Sequence, residues 1–92
     1  MLNYSVLMSV YKYDNSKFVE LAIESVLNQT LKTKDYVIVV DGPIDGQLQD
    51  VIHRYEKEYS EISSFYLDKN HGLSYALNYG LTKCKYEYIA RM

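Results

Sequence analysis

One cysteine, Cys84, stands in a chain of 92 residues, so no internal disulfide framework can hold the fold together. A lone thiol fits a reducing cytoplasm. The longest apolar runs are far too short to cross a bilayer, and no charged-then-apolar signal segment opens the chain. Neither sign of charge dominates, and the net charge of −2 gives no bulk attraction to nucleic acid or to an anionic membrane. Glycine is sparse, and none of it falls in the loop from Lys12 to Asn15. The Gly-x-Gly-x-x-Gly turn that lets a backbone approach a pyrophosphate is therefore missing. No Gly-x-x-x-x-Gly-Lys-Ser/Thr loop occurs either. Both absences argue against nicotinamide dehydrogenases and P-loop nucleotidases. Tryptophan is lacking too, against eleven tyrosines. Those rings read as half-buried amphipathic side chains, at most one of them touching a ligand.

What remains is the composition of an ordered globular protein, 48% hydrophobic and 24% charged. The length suits one small domain, residues 1–92, or part of a larger one. Such a chain buries roughly two-thirds of the surface that its unfolded form exposes. No repeat, low-complexity tract or linker divides it.

The organising stretch is Val37-Ile38-Val39-Val40, four β-branched residues in a row. That pattern predicts a strand buried on both faces, as in a parallel sheet covered by helices. It stops at Asp41, followed by the turn residues Gly42 and Pro43. A second strand is predicted over Tyr4 to Val10, a third over Ser64 to Leu67 and a fourth from Tyr86 to Met92. Between them lie three helical patterns. Asn15 or Ser16 caps the first, which runs to about Asn28 with Val19, Ala22, Ile23, Val26 and Leu27 inward. Leu48, Val51, Ile52, Tyr55 and Tyr59 stripe the second. Glu20, Glu24, His53 and Arg54 lie off these stripes and read as solvated. Leu73, Ala76, Leu77 and Leu81 mark the third, where Ala76 and Gly80 suit close packing on a sheet. The alternation predicts an α/β fold: a Rossmann-like three-layer α/β/α unit around a parallel four-stranded sheet.

Parallel strands bring their carboxyl ends to one edge, where open α/β sheets bind ligands. That edge collects Ser9 and Tyr11, then Asp41, then the loop from Asp68 to Gly72. A hydroxyl, an aromatic face and a carboxylate suit a nucleobase, which can stack on the ring and donate to the carboxylate. A purely structural role, with Asp41 capping its turn or the next helix, stays open. A diphosphate would need a metal ion or cationic side chains for its charge.

The order and spacing of five pieces resemble one family across essentially the whole chain. These are Ser5-Val6-Leu7-Met8-Ser9-Val10-Tyr11, the helix Leu21 to Thr30, and Val37 to Gly42. The others are Asn70-His71-Gly72-Leu73 with Ala76 to Gly80, and Tyr86 to Met92. The chain resembles the N-terminal part of a GT-A domain of the family-two glycosyltransferases, particularly bacterial enzymes of capsular or exopolysaccharide synthesis. The resemblance implies that Ser9 and Tyr11 contact a nucleobase, usually uracil, and that Asp41 binds the base edge. Lys69, Asn70 and Gly72 belong to the loop near the nucleotide. It further implies an inverting transfer from a nucleotide-diphospho-sugar, UDP-linked, to a saccharide or lipid-linked acceptor, at the cytoplasmic side of the cell membrane.

Two departures are visible. Many members carry two acids after the second strand, whereas this chain has Val40-Asp41. Leu77 stands where many carry an arginine. The Asp-x-Asp that binds Mg²⁺ or Mn²⁺ is expected just after Met92, so the chain offers no metal ligand and no catalytic base of its own. The fragment alone is expected to be inactive, with self-association through an exposed sheet edge. A non-catalytic α/β nucleotide-binding or interaction module is the alternative.

Overall fold

Strand-period and helix-period segments alternate along the chain, and the computed structural model follows them; it describes residues 3–91. The order is β1 (Tyr4–Val10), α1 (Ser16–Leu27), β2 (Asp35–Val40), α2 (Gly46–Glu58), β3 (Ile62–Tyr66), α3 (Leu73–Leu81) and β4 (Tyr88–Arg91). Every strand pairing is parallel, and the sheet runs β3-β2-β1-β4.

Strand alternation decides which helix covers which face. Val6, Met8 and Val10 of β1 and Tyr36, Ile38 and Val40 of β2 point to one side, where α1 and α2 pack with Val19, Ile23, Leu48 and Ile52. Leu7, Val37 and Val39 point to the other, against Ala76 of α3. Both faces of β2 are closed, and all six of its residues are buried. The three expected layers are present. On the α3 side the contact is tight, since a Cβ on Gly80 would lie 2.3 Å from Leu7 Cδ1 and 2.9 Å from Val39 Cγ2.

Side-chain caps start the first two helices. Asn15 Oδ1 accepts from the N–H groups of Lys17 and Phe18, and Asp45 Oδ1 accepts from the Leu48 N–H. Glu20 and Arg54, read as solvated, pair with each other across the α1–α2 seam, and the Tyr55 hydroxyl donates to Glu24. Both residues of the ion pair are substantially exposed, so it contributes little to stability.

Three strand boundaries differ from expectation, each for a local reason. β2 begins at Asp35, not Val37, because the Asp35 side chain is buried with partners. The Ser5 hydroxyl donates to Asp35 Oδ2 at 2.6 Å and the Lys85 N–H donates to the same oxygen at 2.7 Å. β3 begins at Ile62, where Glu56 takes the N–H and hydroxyl of Ser64. β4 begins at Tyr88, because the Tyr86 N–H donates to Ser5 Oγ. Met92, expected in that strand, lies outside the described residues. Near this cluster sits Cys84, whose thiol is pushed up first by burial and then by the Asp35 charge. No helix among the described residues is long and apolar enough to cross a membrane.

Candidate functional site

The strand order β3-β2-β1-β4 means that successive crossovers step one way from β1 and then the other way to reach β4. The reversal lies between β1 and β4, and the crevice beyond the carboxyl ends at such a point is where open α/β sheets hold ligands. Ser9 and Tyr11 stand at that place, at the end of β1.

The strand ends are level, because Val10 pairs with Val40 and Val40 with Tyr66. The Asp41 N–H donates to the Val10 carbonyl at 2.7 Å and the Leu67 N–H to the Val40 carbonyl at 2.9 Å. Asp41 itself is 3% exposed. Its Oδ1 accepts from the His71 N–H at 2.8 Å and its Oδ2 from the Gly72 N–H at 3.1 Å. Its carbonyl accepts from Asn70 Nδ2 at 3.3 Å. The carboxylate thus ties the end of β2 to the entry of α3. Gly42 permits the approach, with φ +92° and a would-be Cβ 2.6 Å from the Asn70 nitrogen.

A cleft of about 400 Å³ opens beside this tie, lined by Ser9, Tyr11, Asp14, Asn70, Gly72 and Leu73. The volume falls within the range of small-molecule sites. Tyr11 is 40% exposed and offers an aromatic surface, and Ser9 offers a hydroxyl. Four residues expected from the sequence, Ser9, Tyr11, Asn70 and Gly72, are therefore brought together. Asp41 stands behind the wall that Asn70 and Gly72 form, its oxygens turned onto backbone N–H groups. Lys69 is exposed and does not line the cleft.

Asp14 and Leu73 were not among the expected residues. Asp14 had a detectable signal: it lies three residues after Tyr11 in a polar loop, where an Asx side chain commonly bonds nearby backbone. Its Oδ2 does accept from the Tyr11 N–H, at 2.9 Å. Ser9 and Asp14 also border a second cavity of about 450 Å³, apolar on its far side with Met8, Val10, Phe18 and Ala22. On the outer rim His71 stacks on Tyr75, ring centroids 4.1 Å apart, and its Nε2 lies 3.4 Å from Asp68. No three His, Cys, Asp or Glu side chains among the described residues group closely enough to hold a metal ion.

Comparison with known proteins gives the arrangement a context. The family model for Glycosyl transferase family 2 matches residues 5–92. The chain is 35% identical over 88 residues to the UDP-Gal:alpha-D-GlcNAc-diphosphoundecaprenol beta-1,3-galactosyltransferase of Escherichia coli, covering 96% of this chain and 32% of that protein. It is 38% identical over 88 residues to the O-antigen biosynthesis glycosyltransferase WbnJ of Escherichia coli, covering 96% of this chain and 34% of the relative. With the amylovoran biosynthesis glycosyltransferase AmsE of Erwinia amylovora it shares 37% identity over 89 residues, 97% of this chain and 33% of the other. The chain spans about a third of the length of these relatives.

Proposed function

We propose that this chain, which belongs to glycosyl transferase family 2, is the nucleotide-recognising part of a GT-A transferase domain, with residues 1–92 forming one unit. In the whole protein it serves an inverting transfer of sugar from a nucleotide-diphospho-sugar, UDP-linked, to a saccharide or lipid-linked acceptor in polysaccharide biosynthesis. That protein works in the cytoplasm, at the inner face of the cell membrane.

One observation carries the reading: Ser9, Tyr11, Asn70 and Gly72 line a single cleft at the point where the strand order reverses. The base stacks on Tyr11, Ser9 contributes its hydroxyl, and Asn70 and Gly72 form the opposite wall. Asp41 serves the site by fixing that wall through His71 and Gly72. Lys69, exposed on the same loop, carries the positive charge that a diphosphate would attract.

Mg²⁺ or Mn²⁺, when bound in the whole enzyme, neutralises the leaving diphosphate. The donor set here does not fit that ion, because no three His, Cys, Asp or Glu side chains among the described residues group closely enough to hold one. The family resemblance assigns the ion and the general base to other parts of the protein. Residues 3–91 bind and orient the nucleotide, and they perform no bond-making step.

The use of Asp41 as a loop tie favours one other reading, a non-catalytic α/β nucleotide-binding or interaction module in which this edge is only structural. Titration of the chain with UDP separates the two. Weak binding, equal with and without Mn²⁺ and lowered at least about tenfold in Tyr11→Ala with the fold intact, supports the transferase reading. Binding unchanged by Tyr11→Ala would sink it. Tight Mn²⁺-dependent binding would refute the assignment of the ion to other residues.

A further inference from the structure

Among the described residues β3 pairs with β2 alone, so its other side is a sheet edge. The Tyr36 N–H donates to the Glu61 carbonyl at 2.9 Å, and the Leu67 N–H donates to the Val40 carbonyl at 2.9 Å. Backbone groups alternate in direction along a strand, so Ser63 and Phe65 also face β2. Ile62, Ser64 and Tyr66 turn theirs to the free side. An outward row of this kind is a template for another extended chain.

Two of the outward donors are already taken, both from α2. The Ile62 N–H donates to the carbonyl of Tyr59, the residue that ends the helix, at 3.1 Å. The Ser64 N–H, in the middle of the strand, donates to Glu56 Oε2 at 3.0 Å, and the Ser64 hydroxyl donates to Oε1 at 2.6 Å. Three residues before Glu56, His53 sets its ring against Tyr66 with centroids 6.1 Å apart. His53, Glu56 and Tyr59 thus run down the length of β3 at three-residue spacing. The apolar packing of α2 comes from Leu48, Ile52 and Tyr55 and does not require a carboxylate on the strand's backbone.

We propose that Glu56 is an edge guard, closing β3 to strand addition by holding the outward N–H of Ser64. The occupant it excludes is a second copy of this chain. A two-fold axis lays two β3 edges side by side and antiparallel, so that each offers the other the same row of donors and acceptors. Glu56 occupies the central donor of that row. The guard lies at the edge opposite β4 and works whatever the cleft binds.

Sedimentation equilibrium measures the association, and amide hydrogen exchange by NMR locates it. In the unsubstituted chain the Ser64 amide, although turned away from β2, should be protected from exchange at every protein concentration. Glu56→Ala should strip that protection from the dilute chain and raise the association constant about tenfold, the scale of two regained backbone hydrogen bonds, one per copy. Protection of Ser64 and Tyr66 should then grow with concentration. Glu56→Gln keeps an amide oxygen for the Ser64 N–H and should stay near the unsubstituted level. Ser64→Pro added to Glu56→Ala removes the freed donor, a change that an edge strand tolerates, and should abolish the extra association. Association of Glu56→Ala no stronger than that of the unsubstituted chain, or new protection confined to β4, overturns the proposal. Glu56→Gln matching Glu56→Ala overturns it too, as does extra association that survives Ser64→Pro. An unprotected Ser64 amide in the unsubstituted chain also overturns it, and this readout holds even where Glu56→Ala fails to fold.

Discussion

At the residue scale, the pair Asp41-Gly42 decides whether the cleft has a second wall. The two positive-φ glycines at this edge make different demands. Gly42 has φ +92°, and a Cβ there would meet Asn70 N at 2.6 Å and the Lys69 carbonyl carbon at 2.9 Å, both backbone atoms that cannot rotate away. Gly72 has φ +95° but open space around a would-be Cβ. Gly72→Ala should therefore cost only the backbone strain of φ +95° and ψ 161°, a region essentially reserved for glycine, about 1–3 kcal/mol. Gly42→Ala should cost more, roughly 2–4 kcal/mol, because steric displacement of the 69–70 backbone adds to the same strain. Urea denaturation measures the order, and equal losses would mean that the loop yields freely. Here the sequence was partly legible. Asp41 and Gly42 announced a special turn, but the turn's partner lies some thirty residues later, and no local pattern names it.

At the element scale, α3 is held at both ends by carboxylates carried on β2. Asp41, one residue past the strand, accepts from His71 and Gly72 at the entry of α3. Asp35, the first residue of the strand, accepts from Lys85 beyond its exit and from the Ser5 hydroxyl. Both carboxylates are buried, at 3% and 2% exposure, so removing either leaves part-buried backbone N–H groups, and for Asp35 the buried Ser5 hydroxyl as well, without a partner. Asp35→Ala and Asp41→Ala should each destabilise by roughly 2–4 kcal/mol. They should differ in function: Asp41→Ala loosens the cleft wall and abolishes UDP binding, whereas Asp35→Ala lies at the opposite sheet edge and leaves the residual folded protein's affinity intact. Hydrogen exchange across α3 together with a UDP titration checks both halves. Loss of affinity in Asp35→Ala would show that the two ends of α3 are coupled. The same residues explain what the sequence could and could not show. Every strand and helix was visible in periodicity, since Val37 to Val40 and the stripes of α1 and α2 are strong patterns. Asp35 was not, because a charged residue before an apolar run reads as a linker until Ser5 and Lys85 are seen around it. Asp14 was legible only in part, its bond to Tyr11 being local but its place in the cleft tertiary.

At the scale of the whole molecule, the sheet is unevenly protected. β2 lies in the middle with every residue buried, and β1 is closed by β2 and β4. β4 has a neighbour on one side only among the described residues, and three of its four residues are exposed. Its upper face continues the apolar surface of Tyr4 and Leu31, with Tyr88 63% exposed, and a shallow cavity of about 300 Å³ lies between these residues. An open edge beside uncovered apolar surface is a template for pairing with another chain. The 92-residue chain should therefore associate with itself as concentration rises, seen as increasing weight-average mass in sedimentation equilibrium. Ala90→Lys places a charge on the exposed face of that edge without entering the core, and it should return the chain toward the monomer, as lysine does on natural edge strands. A chain that stays monomeric at high concentration would place the weakness elsewhere. If it associates but ignores Ala90→Lys, the contact lies over the start of α1, where Phe18 at 70% and Tyr13 at 76% exposure leave apolar surface beside the second cavity. The distinction bears on function, because the cleft of Ser9 and Tyr11 adjoins that cavity and not the outer edge of β4. Association through β4 would leave nucleotide affinity independent of protein concentration, whereas association over Phe18 and Tyr13 would make the two compete.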